Sequence, residues 1–237
     1  MDINCDLGEG MPDEEKIMAF IDSCNIACGG HFGDKASMTN SLKLAQKEGV
    51  KAGAHPSFVD KANFGRKIVA IPLQKLKEQI IQQIAALNEI AVSLGVSLHH
   101  VKAHGALYNE ASRSDELGNV LIDAVVFFKQ DLCIFVPYGS NLHKLVKERS
   151  IRHWVEVFAD RNYNCELELV SRAHGNSVIN DPIEVRQRVR KMIEDRSVIV
   201  EDGSEIKIEF DTICVHSDHP RALEFLVELS VLKKNKF

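Results

Sequence analysis

Residues 50–105, VKAGAHPSFVDKANFGRKIVAIPLQKLKEQIIQQIAALNEIAVSLGVSLHHVKAHG, carry the reading that decides the fold. The stretch opens on a strand-like run, Val50–His55, and closes on a second, His99–Ala103. Between them lies a long amphipathic run, Leu73–Leu94, begun by Pro72, a residue suited to a helix start because its missing N–H is not needed there. Strand, helix, strand at these lengths is a βαβ unit, and such units build a parallel sheet.

Working outward, the same alternation fills the chain. Further strand-like runs are Asp2–Asp6, Cys24–Cys28, Leu132–Val136, Val155–Ala159 and Thr212–His216. Helical runs are Asp34–Glu48, Ser114–Phe128, Asn141–Glu148, Asp181–Asp195 and Pro220–Leu232. About seven units, with no GxGxxG after the first strand, favour a closed α/β barrel over a dinucleotide-binding sheet. The expectation is a single seven-stranded parallel β/α barrel over residues 1–237. The segment 197–210, with Asp202-Gly203 at its centre, is read as a β-hairpin inserted before the last parallel strand.

Bulk properties exclude some classes. The 237 residues are 45% hydrophobic and 27% charged with a net charge of −5, so neither a nucleic-acid surface nor a membrane surface is expected. The KKNK run near the C-terminus reads as a solvated tail. Six cysteines are present, and Cys5, Cys28, Cys133 and Cys214 sit in apolar runs, as buried free thiols do. No signal peptide and no long apolar run is read, so the expected location is the cytoplasm.

Polar residues recur where strands end. By the period-2 rule Asp2, Asn4 and Asp6 share a face, as do His100, Lys102 and His104, Glu156 and Asp160, and His216 and Asp218. A buried parallel strand is normally a near-continuous apolar run. In a β/α barrel the C-terminal strand ends build the site. Asp6, Asn25, His31, His55, Lys102, His104, Asp160 and His216 are therefore expected around one mouth. Carboxylates and imidazoles there suit a divalent metal, with Asp6, His55 and His104 as candidate ligands. His100 and His104 are not an HExxH pair: no Glu follows the first, and the segment reads as a strand. There is no GxxxxGK[ST] loop. CGGHFGD, residues 28–34, reads either as an anion cradle at a helix N-terminus or as a plain connecting turn.

Seven motifs resemble the LamB/YcsF family, in family order: NCDLGEG at 4–10, NIACGGHFGD at 25–34, GAHPSFVD at 53–60, FGRK at 64–67, HVKAHGALYN at 100–109, EVFADRNY at 156–163 and CVHSDHP at 214–220. They span nearly the whole chain. The resemblance implies a barrel similar to that of polysaccharide deacetylases. It also implies the A-subunit role in an ATP-dependent 5-oxoprolinase that opens the lactam of 5-oxoproline to glutamate, acting with separate B and C subunits and using ATP with Mg. On this footing Asp6, His55, Lys102 and His104 are the catalytic candidates. Asn25, His31, Arg66, Asn109, Asp160, Arg161 and His216 are the substrate- or nucleotide-binding candidates, with Lys102, Arg66 and Arg161 as phosphate clamps. Two alternatives from other classes are a stand-alone metal-dependent amidohydrolase and a non-catalytic partner component. Departures are Ala103 where the family has Pro, Lys67 where it has Arg, Gly30 and Phe32 where it has Phe and Ala, and Ser217 where it has Gly. The Gly30/Phe32 exchange is expected to reshape the pocket wall. Lys102, on a strand that otherwise reads as buried, is expected to pair with Asp6.

Overall fold

Local sequence signals fix the helix ends. In the computed structural model, which describes residues 1–234, helix α2 (Lys35–Glu48) starts behind Asp34. The Asp34 carboxylate accepts from Ser37 N, and the Ser37 hydroxyl answers the Asp34 N–H, a reciprocal cap. The helix stops at Gly49, which takes the left-handed conformation with φ 71°. Helix α3 (Leu73–Ser93) follows Pro72 and buries Leu76, Ile80, Ile84, Leu87 and Ala91, one stripe at helical spacing.

Seven strands close into a barrel in the order β1 (Asp2–Leu7), β2 (Ser23–Ala27), β3 (Lys51–His55), β4 (His100–Val101), β5 (Cys133–Pro137), β6 (His153–Phe158) and β9 (Thr212–Val215). Every neighbouring pair is parallel, and β9 returns to pair with β1. Outside lie α2, α3, α5 (Asp115–Val126), α6 (Asn141–Glu148), α7 (Pro182–Asp195) and α8 (Ala222–Lys234). The short helices α1 (Glu14–Met18) and α4 (Gly105–Arg113) complete the set and do not stand out in the sequence. Strands β7 (Ser197–Ile199) and β8 (Glu205–Lys207) pair antiparallel as a separate two-stranded sheet. Among the described residues no helix is long and apolar enough to cross a membrane.

Barrel interiors are usually packed with branched aliphatic side chains. Part of this one is polar. Asn4 Nδ2 donates to Glu156 Oε1 and to Thr212 Oγ1, both at 2.9 Å. Asn25 Nδ2 donates to Asn4 Oδ1 at 2.8 Å and to Asp6 Oδ1 at 2.7 Å. His100 Nε2 bonds Asn25 Oδ1 at 2.7 Å. Apart from Glu156 Oε2, which has no hydrogen-bond partner, these groups tolerate burial because they satisfy one another. Gly53 makes room for the imidazole: a Cβ there would lie 2.2 Å from His100 Nε2.

The run at 233–236 differs from the expected solvated tail where it is described. Lys233 belongs to α8, and its ammonium pairs with Asp22. Residues 235–237 lie outside the described residues. Five cysteines are buried, including Cys24, and Cys165 is exposed.

Candidate functional site

A cavity of about 460 Å³ opens at the C-terminal ends of the parallel strands. Asp6, His55, Lys102, His104, Arg66, Asn109, Arg161 and His216 line it. Asn25, His31 and Asp160 do not. They lie behind lining residues and hold them in place, as the contacts below show.

Lys102 leaves β4 and buries its ammonium among acids. Nζ lies 3.0 Å from Asp6 Oδ1, 3.0 Å from Glu156 Oε1 and 3.0 Å from Cys214 Sγ. Burial alone would lower its pKa. Asp6, Cys214 and Glu156 override that and hold it well above the ordinary lysine value. Burial likewise pushes Asp6 up, but His55 and Lys102 pull it well below the usual carboxylate range. The interior thus contains a true ion pair rather than a neutral one. Asp6 Oδ2 is left towards His55 Nε2, 3.4 Å away.

Beside this pair sits a group that the sequence assigns only in part. Glu9, His31, His55 and His104 are all buried and bring four ligand atoms close enough to hold a metal ion. Glu9 Oε1 lies 2.9 Å from His31 Nε2 and 3.3 Å from His104 Nδ1. His31 stacks on His104 with ring centroids 3.7 Å apart, and its Nδ1 has no hydrogen-bond partner. Burial pushes Glu9 well up, with Asp6 and Asp218 adding repulsion. It takes His31 down to about 3 and His104 well below the histidine norm, helped in both by His55. Of the expected ligands Asp6, His55 and His104, the two histidines are in this group. Asp6 gives Oδ1 to Lys102 and Asn25 and falls in a second metal-spaced group with Cys214 and His216, so in this first group the carboxylate is that of Glu9. The sequence signals for Glu9 are its place two residues past the first strand and its membership of the NCDLGEG motif.

His216 follows β9 and is oriented by Asp160, which follows β6. Asp160 accepts from the His216 backbone N–H at 3.0 Å and bonds Nδ1 at 3.0 Å. Burial raises the Asp160 carboxyl, but His216 outweighs it and leaves the pKa lowered.

Two expectations need correction, for Arg161 and for the Gly30/Phe32 exchange, and one reading left open, for CGGHFGD, narrows to a turn. Arg161 is not a free clamp: Nε donates to Ser177 O at 3.1 Å and Nη2 to Val170 O at 2.6 Å, bracing the loop after β6. Arg172, unmarked in the sequence, reaches the mouth instead, giving Asp218 two hydrogen bonds of 2.9 and 3.3 Å. Arg66 bonds the same carboxylate. The CGGHFGD segment is a connecting turn, because Asp34 already places its own carboxylate on the first amides of α2. Nor does the Gly30/Phe32 exchange touch the cavity wall: a side chain at Gly30 would collide with Gln83 and Ser57, and Phe32 covers Gly10.

The LamB/YcsF family model matches residues 1–236. The chain belongs to the LamB/YcsF family. It is 39% identical over 242 residues to a protein of Campylobacter jejuni named as the A subunit of 5-oxoprolinase, covering 100% of this chain and 95% of that one. It is 38% identical over 229 residues to a protein of the same name from Pyrococcus abyssi, covering 94% and 90%. Among solved structures, the lactam utilization protein of Thermus thermophilus matches with a TM-score of 0.89 and 32% identity, over 99% of this chain and 96% of that one. That match and the closed seven-stranded sheet agree with the expected barrel.

Proposed function

We propose that this LamB/YcsF chain is the A subunit of an ATP-dependent 5-oxoprolinase. It opens the lactam of 5-oxo-L-proline to L-glutamate in the cytoplasm, together with B and C subunits. The observation that carries this reading is the Lys102–Asp6 ion pair, set beside an Asp160-held histidine on the floor of one cavity. The relatives' names point to the same activity.

A lactam is a poor electrophile, and ATP, with Mg, activates it by phosphorylating the amide oxygen. Water then adds to the ring carbon, the C–N bond breaks to leave an acyl phosphate, and a second water cleaves that to glutamate and inorganic phosphate. Asp6 Oδ2 is the base that takes the water proton; its other oxygen is already held by Lys102 and Asn25. His216 gives a proton from Nε2 to the departing ring nitrogen, while Asp160 holds its Nδ1. A divalent metal on the Glu9/His floor belongs to the same reading and supplies Lewis-acid polarisation of the amide oxygen when bound.

Arg66 and Arg172 take the substrate carboxylate. Two guanidiniums around the one Asp218 carboxylate leave a single net positive charge, which matches a monoanion better than a polyphosphate. In the assembled enzyme Arg172→Gln should raise KM for 5-oxoproline about tenfold, the scale of one lost charge-assisted contact. KM for ATP should stay nearly constant; the reverse pattern would assign the arginines to phosphate.

The decisive experiment is a 5-oxoproline-dependent ATPase and glutamate assay, with and without cognate B and C subunits. Turnover is expected only when both subunits and ATP are present. Robust ATP-independent ring opening by the isolated chain would replace this reading with the stand-alone amidohydrolase that the Glu/His group favours. Full activity of a complex carrying Asp6→Ala would make the chain a non-catalytic partner.

A further inference from the structure

Two main-chain carbonyls decide where hydrogen sits on the two facing histidines. A carbonyl oxygen only accepts hydrogen bonds. His55 Nδ1, 2.7 Å from Lys102 O, therefore carries a hydrogen. So does His104 Nε2, 3.0 Å from Phe64 O. A neutral imidazole has only one N–H. In the neutral forms that metal-binding histidines take, His55 Nε2 and His104 Nδ1 are left as lone pairs, and they face each other at 3.0 Å. Glu9 Oε1 closes the triangle, 3.3 Å from His104 Nδ1 and 3.9 Å from His55 Nε2.

Three electron-pair donors converge here, and a cation is what such a triangle lacks. A single bridging proton would serve only one edge of the triangle, whereas one metal ion meets all three atoms at once. The dimensions suit a metal. A triangle with these sides has a circumradius of about 2.0 Å, against roughly 2.0–2.2 Å for zinc bonded to imidazole or carboxylate.

We propose that His55 Nε2, His104 Nδ1 and Glu9 Oε1 hold one divalent transition-metal ion, Zn²⁺ or a first-row neighbour. Two imidazoles and one carboxylate suit such an ion, whereas Mg²⁺ takes oxygen ligands, so this ion is distinct from the Mg that accompanies ATP. The Lys102 and Phe64 carbonyls fix the two tautomers, the outer support that histidine ligands generally have. His31 is a positioning residue: it bonds Glu9 Oε1 and stacks on His104. All three ligands line the cavity, so the ion keeps a face open to substrate. The neighbouring group Asp6, Cys214 and His216 also has metal-like spacing. There the Lys102 ammonium already supplies the cation, 3.0 Å from both Asp6 Oδ1 and Cys214 Sγ.

The inference deepens the metal part of the proposed function, but it needs no particular substrate. The test uses the full chain, stripped with chelator and dialysed separately against Zn²⁺, Co²⁺ and Mg²⁺. Metal content after gel filtration and the melting temperature are then measured. About one equivalent of Zn²⁺ or Co²⁺ per chain is expected, with a raised melting temperature, and no retained Mg²⁺. Glu9→Gln, nearly the same shape, should weaken binding at least about tenfold. A His55→Asn/His104→Asn chain should bind none. The proposal is overturned if the wild-type chain retains no Zn²⁺ or Co²⁺ and neither ion moves its melting curve. Retention undiminished by Glu9→Gln or by the double substitution overturns it too. Metal binding by the chain, with no 5-oxoproline turnover once B and C subunits and ATP are added, would keep this inference and remove the functional reading. Turnover by a chain that binds no metal would do the reverse.

Discussion

Lys102→Met should abolish 5-oxoproline turnover by the assembled enzyme and lower the chain's melting temperature by roughly 10 °C. Methionine keeps the volume of the lysine stem but removes the charge. Asp6 and Glu156 would then be two buried acids without their shared cation. Breaking a buried pair from one side costs about 3–5 kcal/mol, because the remaining charge is left uncompensated. Asp6 would also lose one of the two partners, His55 and Lys102, that hold its pKa down, and with it capacity to take a proton from water. Sequence alone predicts loss of activity with the fold untouched. The second acid, Glu156, is why stability should suffer as well. Adding Glu156→Gln to Lys102→Met should recover part of the melting temperature and none of the turnover. Near-normal turnover by the single variant would remove Lys102 and Asp6 from the chemistry.

The second large effect is expected at Asp160. Asp160→Asn should lower kcat of the assembled enzyme by about two orders of magnitude, the lower end of what a positioned acid or base contributes. The carboxylate accepts two hydrogens from His216, one from the main chain and one from Nδ1. An amide accepts on one atom only, so the imidazole loses its fixed orientation. Stability gives an independent readout with a definite sign. The folded pKa of Asp160 is depressed, so its contribution is present above the unfolded value of about 3.9 and is lost as pH falls through that value towards the folded one. The melting temperatures of wild type and Asp160→Asn should therefore differ at neutral pH and converge in acid. A difference that grew in acid would contradict the assignment, and an unchanged kcat would make Asp160 structural only.

Much of the barrel is legible in the sequence. Seven strand-like runs alternate with helices, and the seven parallel strands overlap those runs. The agreement has a local cause: side-chain alternation, Asp34 and Gly49 at helix ends and Pro72 at a helix start are properties of neighbouring residues. The short helix α4 escapes a sequence reading because it begins directly after His104, inside a motif whose polar residues point to the site.

By itself the sequence determined that Asp6, His55, Lys102, His104 and His216 end up at one end of one barrel, because each sits at or just past the end of a parallel strand. Only the tertiary structure decided what those groups do to one another. Lys102 meets a second acid 54 residues away, Glu156. Arg161 turns to brace a loop, while Arg172 arrives at the mouth. Glu9 lies between the two histidines while Asp6 approaches His55 alone, and the carbonyls of Lys102 and Phe64 engage the far nitrogens of both rings. The physical reason is one of range. Strand and helix periodicity is a short-range property, whereas the partner of a buried charge and the direction of a lone pair depend on atoms that only chain closure brings within about 3 Å.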